Sequence, residues 1–313
     1  MLPTELTVGD REHELASIVA LIRREVVTPY RLSAILEELG SAVGLVQQSE
    51  ADRLFQPESP SHDLIGAVTQ EDLTKAVRDV RRWLSEGRDV RTVLDDNYPT
   101  TLRAIFNHPP VLFIQGNWDE QRDSWSVAIV GTRKASREGI ARARRLSREL
   151  SAAGFCIASG MAAGIDTAAH TAALDCGTRT FAVMGTGLDR RFPKENAPLA
   201  DRILDSGGCL ISQFFPTQPP TQWTFPMRNV VMSGLTLATV VVEAAETSGA
   251  RMQARVALQH GRTVFLLRSL VESHEWARQY VEQGAYGTAA IMIGSTDEIL
   301  DRLQESPERL RVA

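Results

Sequence analysis

Between Arg11 and Gln48 apolar residues recur at helical spacing: Leu15, Ile18, Leu21 and Ile22, then Leu32, Ile35, Leu36 and Leu39, with breaks at Thr28-Pro29 and Gly40. Intervals of three and four residues line one face of a helix, so this stretch predicts two or three short helices. Ser49 to His62 is polar and proline-bearing and reads as a linker. Beyond it, Thr69 is placed to cap a third helix running through Leu73, Val77, Val80 and Trp83, which Gly87 can end. Residues 1–92 are expected to form a small helical domain.

The period changes after Leu94. Val111 to Ile114, behind Pro109-Pro110, predicts a strand beside the next domain. From Trp125 onward apolar runs of strand length fall at 127–130, 155–158, 181–184, 209–212, 237–242, 263–267 and 291–293, separated by segments long enough for helices. Strands that are apolar on both faces must be covered on both faces. The pattern therefore predicts an α/β domain over residues 93–305, a doubly wound, mostly parallel Rossmann-like sheet, with a polar tail at 306–313.

Composition narrows the function classes. The 313 residues are 43% hydrophobic and 23% charged, an ordinary globular balance. The 34 Lys and Arg against 39 Asp and Glu give a formal charge of -5, so the overall field does not draw in a polyanion and any nucleic-acid binding needs a local basic patch. Cys156, Cys176 and Cys209 are scattered, with no paired spacing and no neighbouring His, which argues against a disulfide framework or zinc site and for a reducing compartment. The start carries acids where a signal peptide has bases, and the longest apolar stretch, Leu235 to Val242, is too short to span a bilayer. The expectation is a cytoplasmic protein with no metal, no cofactor and no membrane partner.

In a doubly wound sheet the turns after the strands hold the ligand. Gly131-Thr132-Arg133-Lys134-Ala135-Ser136 follows the first long strand: a glycine for close approach, a Ser to cap the next helix, and an Arg with fixed planar donors. This outlines a phosphate site, or a capped turn with a solvated Arg. It matches neither a dinucleotide fingerprint nor a Walker loop. Ser159-Gly160-Met161-Ala162-Ala163-Gly164-Ile165-Asp166 offers converging amides and an Asp able to cap Thr167 to Ala169. His170 lies one turn beyond Asp166, and without a nearby nucleophile that pair reads as a structural hydrogen bond rather than an acid–base couple. Trp223-Thr224-Phe225-Pro226-Met227-Arg228-Asn229 supplies a stacking face, a cation and an amide, the ingredients of single-strand binding, or else core aromatic and rim ion pair. Arg142, Arg144, Arg145 and Arg148 crowd one helix but spread over its faces, which reads as a solvated surface. Glu243, ending a buried strand, is suited to hold a ribose, orient Arg133 or cap a helix.

These turns, in this order, resemble the DNA-processing protein A family (DprA, also called Smf). The resemblance runs from about Asp95 to Leu303 and rests on Tyr98-Pro99, PPVLFIQGN, VAIVGTRKAS, SGMAAGIDTAAH, FPKEN, FPMRNVVMSGL and the stretch from Val240 to Arg262. It implies a Rossmann-like domain that binds single-stranded DNA, helps load RecA during natural transformation, dimerises and has no catalytic turnover. It also implies that Gly131, Thr132, Arg133, Lys134, Ser159, Gly160, Met161, Gly164, Asp166, Lys194, Phe225, Arg228 and Asn229 form the DNA and phosphate site. Met227 and Val230 stand where the family usually has basic residues, and Leu267-Arg268-Ser269-Leu270 replaces its usual Pro-Gly loop. Those departures keep a nucleotide-sensing or phage-defence relative as the second reading. The run from Glu243 to Gly249 lacks the glycine-rich turn of phosphoribohydrolases, which counts against hydrolysis.

Overall fold

The computed structural model describes residues 8–48 and 59–304. Most of the expected linker, and the polar tail at 306–313, lie outside the described residues. The chain divides into two compact units, Met1–Tyr98 with Phe106–Leu112, and Pro99–Ile105 with Phe113–Ala313.

In the first unit, α1 (Val8–Arg24), α2 (Pro29–Leu39), α3 (Val43–Gln47) and α4 (Gln70–Ser85) bury most of the apolar positions that the spacing singled out, among them Leu15, Ile18, Leu32, Leu36, Val80 and Trp83, while Leu39 at the end of α2 is exposed. Pro29 opens α2, and Gly40, at φ 71°, closes it in the left-handed conformation. Thr69 caps α4 in a reciprocal box with Asp72. The Asp72 carboxyl is held below its ordinary value, first by the Thr69 hydroxyl and then by the Thr69 amide. A short strand, β1 (Asp89–Thr92), follows; four residues with Val90 as the one apolar side chain gave no signal separable from a turn.

The second unit is built on the order β2-β6-β5-β4-β3-β7-β8-β9, in which the strands are β2 (Val111–Gly116), β3 (Ser126–Val130), β4 (Cys156–Ser159), β5 (Thr180–Val183), β6 (Cys209–Ser212), β7 (Ala238–Val241), β8 (Thr263–Leu267) and β9 (Ile291–Ile293). From β6 to β9 the neighbours run parallel, and β2 lies antiparallel to β6 through Phe113 to Gly116. The helices are α5 (Thr100–Arg103), α6 (Glu120–Asp123), α7 (Arg137–Ala152), α8 (Ile165–Asp175), α9 (Ala197–Asp205), α10 (Thr224–Leu235), α11 (Gly249–Gln259), α12 (Arg268–Ser273), α13 (Glu275–Glu282) and α14 (Thr296–Gln304). The two-residue period of the strands sends Val127, Ile129, Ile157, Val240, Phe265 and Ile293 into one core with Leu146 and Leu150 of α7, Ala169 of α8 and Ile299 of α14. On the other side α10 and α11 pack together, and α11 lies on β7 and β8. The doubly wound, mostly parallel sheet expected from the apolar runs is thus the fold observed.

The amino edge of the sheet is locked by a buried charge. Asp123 is fully buried and takes two bonds from Arg179, at 2.6 and 2.8 Å, and one from the Asp119 amide at 2.8 Å. The same guanidinium also donates to the carbonyls of Asn117 and Gly207. Burial beside Asp123 pushes the Cys156 thiol well up, so this cysteine packs as an inert group. Removing one partner of such a pair leaves an uncompensated charge. Asp123→Ala is expected to cost about 3–5 kcal/mol of stability, read as a shift of the denaturant midpoint; a loss below about 1 kcal/mol would contradict this account.

Candidate nucleic-acid interface

The strand order reverses between β3 and β7, which opens the fold's ligand crevice outside their carboxyl ends. Gly131 to Ser136 leave β3 there and enter α7. The Ser136 hydroxyl accepts from the Gly139 amide at 2.9 Å, the cap expected of it. The amides do not form an open cradle, however. Glu243, just past β7, takes the Ser136 amide at 2.9 Å together with the Ser136 hydroxyl, and its carbonyl takes the Thr132 amide at 2.7 Å. A Cβ on Gly139 would sit 2.3 Å from that carboxyl, so the glycine makes room for it. The Lys134 amide turns inward to the Thr132 hydroxyl at 3.3 Å. The expected anion at the start of α7 is thus supplied by the chain itself, because a carboxylate satisfies free amides and the helix dipole as a phosphate does. What faces solvent is the side chains of Arg133 and Lys134, both exposed.

The second turn is closed in the same way. Asp166 sits inside α8, whose cap is Gly164, and its buried carboxylate reaches back to the amides of Gly160 and Ala162, each at 3.2 Å. The expected cap over Thr167 to Ala169 is corrected: the helix geometry turns this carboxylate toward the preceding loop. Gly160 thereby loses its amide for an outside phosphate. Burial raises the Asp166 carboxyl, opposed by Arg228 and by the two amides. The Ser159 hydroxyl is spent on the Ile129 carbonyl at 2.6 Å, and the Met161 side chain is buried. Gly164, at φ 82°, carries a structural requirement, since a Cβ would lie 2.4 Å from the Thr132 carbonyl oxygen. His170 does not meet Asp166. Its Nδ1 lies 2.7 Å from the Thr180 hydroxyl, which donates to the Ile157 carbonyl at 2.5 Å.

The third segment ties the others together. Arg228 on α10 is buried and donates through Nη1 to the carbonyls of Gly160, at 2.8 Å, and Val183, at 3.0 Å. A Cβ on Gly160 would lie 1.7 Å from that nitrogen. Asn229 accepts from Arg228 Nε at 3.1 Å and donates to the Gly249 carbonyl at 3.4 Å, so both ends of its amide are engaged within the chain. Neither residue is a rim group. Burial lowers the Arg228 pKa, with Arg133 adding like-charge repulsion and Asp166 opposing it, so the Arg133 and Arg228 charges share one neighbourhood.

Phe225 packs against Gly185, whose Cβ would be 2.7 Å from the ring, and meets Phe192 at 5.9 Å between centroids with the planes tilted by 46°. Asn196 anchors the intervening stretch to the second turn, donating to the Met161 carbonyl at 2.7 Å and the Thr167 hydroxyl at 2.8 Å, and Lys194 beside it is exposed. Phe192 and Trp223 are exposed here at 39% and 69%. Neither was among the expected site residues, although an aromatic directly before Pro193 in a strand-end loop was a signal on offer.

The result is a Rossmann-like domain whose first two strand-end turns are closed by its own carboxylates, Glu243 and Asp166, beside exposed Arg133, Lys134, Lys194, Phe192 and Trp223. Residues 89–304 match the family model described as DNA recombination-mediator protein A, and the chain belongs to that family. Protein Smf of Escherichia coli K12 is 36% identical over 233 residues, 74% of this chain and 61% of the relative. DNA processing protein DprA of Streptococcus pneumoniae is 39% identical over 176 residues, 56% of this chain and 61% of the relative. The chain thus spans 61% of the length of these two relatives. The X-ray structure of DprA from Streptococcus pneumoniae superposes with a TM-score of 0.70 at 28% identity, covering 95% of this chain and 98% of that one. A structure of DNA processing protein A from Helicobacter pylori, solved to explain its single-stranded DNA binding mode, shares the fold, with a TM-score of 0.60 at 23% identity over 70% of this chain and 96% of that one. The family expected from the motifs is the family found.

Two outcomes follow from this geometry. Glu243→Ala is expected to lower stability by about 1–2 kcal/mol, and added phosphate should then raise the Tm of the variant while leaving the wild type unchanged. An equal response of both proteins would show that the carboxylate does not fill an anion site. Burial lowers the His170 pKa from 6.5 to about 3 and that of His260 to about 4. The unfolded chain therefore takes up protons first, and stability present above pH 6.5 is lost as pH falls toward those values. At pH 5 the loss through His170 is about 2 kcal/mol, and His170→Asn should flatten the slope of unfolding free energy against pH over that range. An unaltered slope would refute the assignment.

Proposed function

We propose that this chain is a single-stranded DNA-binding recombination mediator without catalytic turnover, acting in the cytoplasm as a homodimer with RecA as partner. The observation that carries the reading is the convergence, at one edge of the sheet, of exposed Arg133, Lys134 and Lys194 with the Phe192–Phe225 pair and Trp223. Side chains of this kind suit an extended strand: cations follow the phosphates and aromatic faces stack unpaired bases of any sequence. Family membership and the single-strand binding described for the Helicobacter pylori relative support the same reading. Arg228, Asn229 and Asp166 then act as positioning residues that hold the glycine turn, and Gly131, Thr132, Ser159, Gly160, Met161 and Gly164 shape the edge. Among the described residues no helix is long and apolar enough to cross a membrane, and no group of three or more His, Cys, Asp or Glu is placed to hold a metal.

Fluorescence anisotropy with labelled oligo-dT and a matched duplex, titrated with salt, tests this directly. Single-strand preference that weakens with salt is expected. Arg133→Ala should lower the affinity about tenfold, the loss of one charge-assisted bond, at unchanged Tm. Equal affinity in variant and wild type removes Arg133 from the interface. Folded protein that binds no oligonucleotide, but does bind a free nucleotide, would replace this reading with a sensor.

A further inference from the structure

We propose that a second nucleotide subsite lies where the middle of α7 meets α12, which follows β8, and the turn after β9, and that it takes one nucleotide unit carrying a single phosphate. Its strand-bound form rests on the single-strand reading above. The cavity measures about 350 Å³ and is floored by Leu146, Leu267 and Ile293, with Arg142, Arg145 and Arg268 around its mouth. That volume is at the lower end of small-ligand pockets, and an apolar floor under a few convergent polar groups suits a base with one charged substituent. Like the first site, it opens at the carboxyl ends of parallel strands, here β8 and β9.

The charges around it select the ligand. Arg142 donates to the Ser269 hydroxyl at 2.5 Å and pairs with Glu138, while Arg145 pairs with Glu149 at 2.9 Å. Glu149 also takes the Thr296 hydroxyl, and Glu298 takes the amides of Gly294 and Ser295 at 3.1 Å. Glu272 lines the wall. Arg268 is exposed, lies beside Gly294 and has no ion pair among the described residues, so it is the cation left for a ligand. One free guanidinium amid four carboxylates favours a monophosphate or phosphodiester and repels a triphosphate. Arg142 lies six residues beyond Ser136, roughly 9 Å along α7, which puts the cavity within a few nucleotides of Arg133. Arg142 and Arg145, two of the four arginines that read as a solvated surface, thus line one feature with Leu267, Arg268 and Ser269 of the segment that departs from the family pattern.

The test compares wild type, Arg268→Ala and Arg144→Ala, the last removing the same charge from an exposed position on α7 outside the cavity. The probes are labelled oligo-dT of about 4 and about 12 nucleotides, spanning single-strand site sizes, and thymidine monophosphate followed by calorimetry. Arg268→Ala is expected to weaken the longer oligonucleotide roughly fivefold and reduce its salt slope by about 0.7, one phosphate's share. The shorter probe should bind unchanged, as should both oligonucleotides to Arg144→Ala. Thymidine monophosphate that binds the wild type and not Arg268→Ala would assign the pocket to free nucleotide as well as to the strand. Binding by Arg268→Ala equal to wild type for every probe, or a loss shared equally by both oligonucleotide lengths or by Arg144→Ala, overturns the subsite while leaving the Arg133 interface standing. If the wild type binds no oligonucleotide, the single-strand reading fails and the monophosphate alone decides: binding that is lost in Arg268→Ala supports the pocket, and no binding overturns it.

Discussion

The buried guanidinium of Arg228 is the constraint from which the ligand edge follows. Its bonds to the carbonyls of Gly160 and Val183 join the ends of β4 and β5 to α10, and its Nε is held by the neighbouring Asn229. A buried cation is tolerable only when its donors are satisfied and a counter-charge is near. Here two carbonyls, an amide oxygen and the Asp166 carboxylate meet that demand. Asp166 in turn holds the amides on the other side of the same turn. Remove the guanidinium, and both the glycine turn and the segment carrying Phe225 lose their common anchor.

The two turns that a Rossmann-like sheet ordinarily offers to phosphates are each occupied by a carboxylate of the chain, Glu243 at the first and Asp166 at the second. This has a consequence for specificity. A free nucleotide bound through backbone amides must displace a covalently tethered competitor whose effective concentration is high. A strand bound through protruding side chains competes with neither carboxylate. The same carboxylates keep the loops rigid, so Arg133 is displayed from a fixed backbone and less ordering entropy is lost when a ligand binds.

The parallel sheet was legible because strands buried on both faces leave continuous apolar runs, and the runs at 127–130 and 209–212 became β3 and β6 nearly residue for residue. The Ser136 and Thr69 caps were legible because capping is local, set by residues three apart. The partners of Asp166 and Glu243 were not. Glu243 lies 107 residues from Ser136, and only the crossover that places β7 beside β3 brings them together. Arg228 was equally opaque: its sequence context suits a ligand-binding cation as well as a buried tie, and burial is a property of the packed fold. The segments that matter could be read from their glycines and aromatics, whereas the division between groups that hold the edge and groups that face a ligand could not.

On the single-strand reading, a chain of formal charge -5 must separate its charges in space to bind a polyanion. Much of its basic side-chain charge is neutralised locally, as in Arg23 with Asp79, Arg81 with Glu12, Arg145 with Glu149 and Arg278 with Glu275. At the ligand edge Glu243 and Asp166 turn inward to backbone amides, while Arg133, Lys134 and Lys194 are exposed. Two acids satisfied by backbone amides beside three exposed bases concentrate positive charge locally without a positive molecule. Screening at physiological salt confines such a potential to about 8 Å. Attraction is therefore felt by a strand already at the edge and not by one approaching from a distance, which favours side-chain contact and base stacking over long-range steering as the source of affinity.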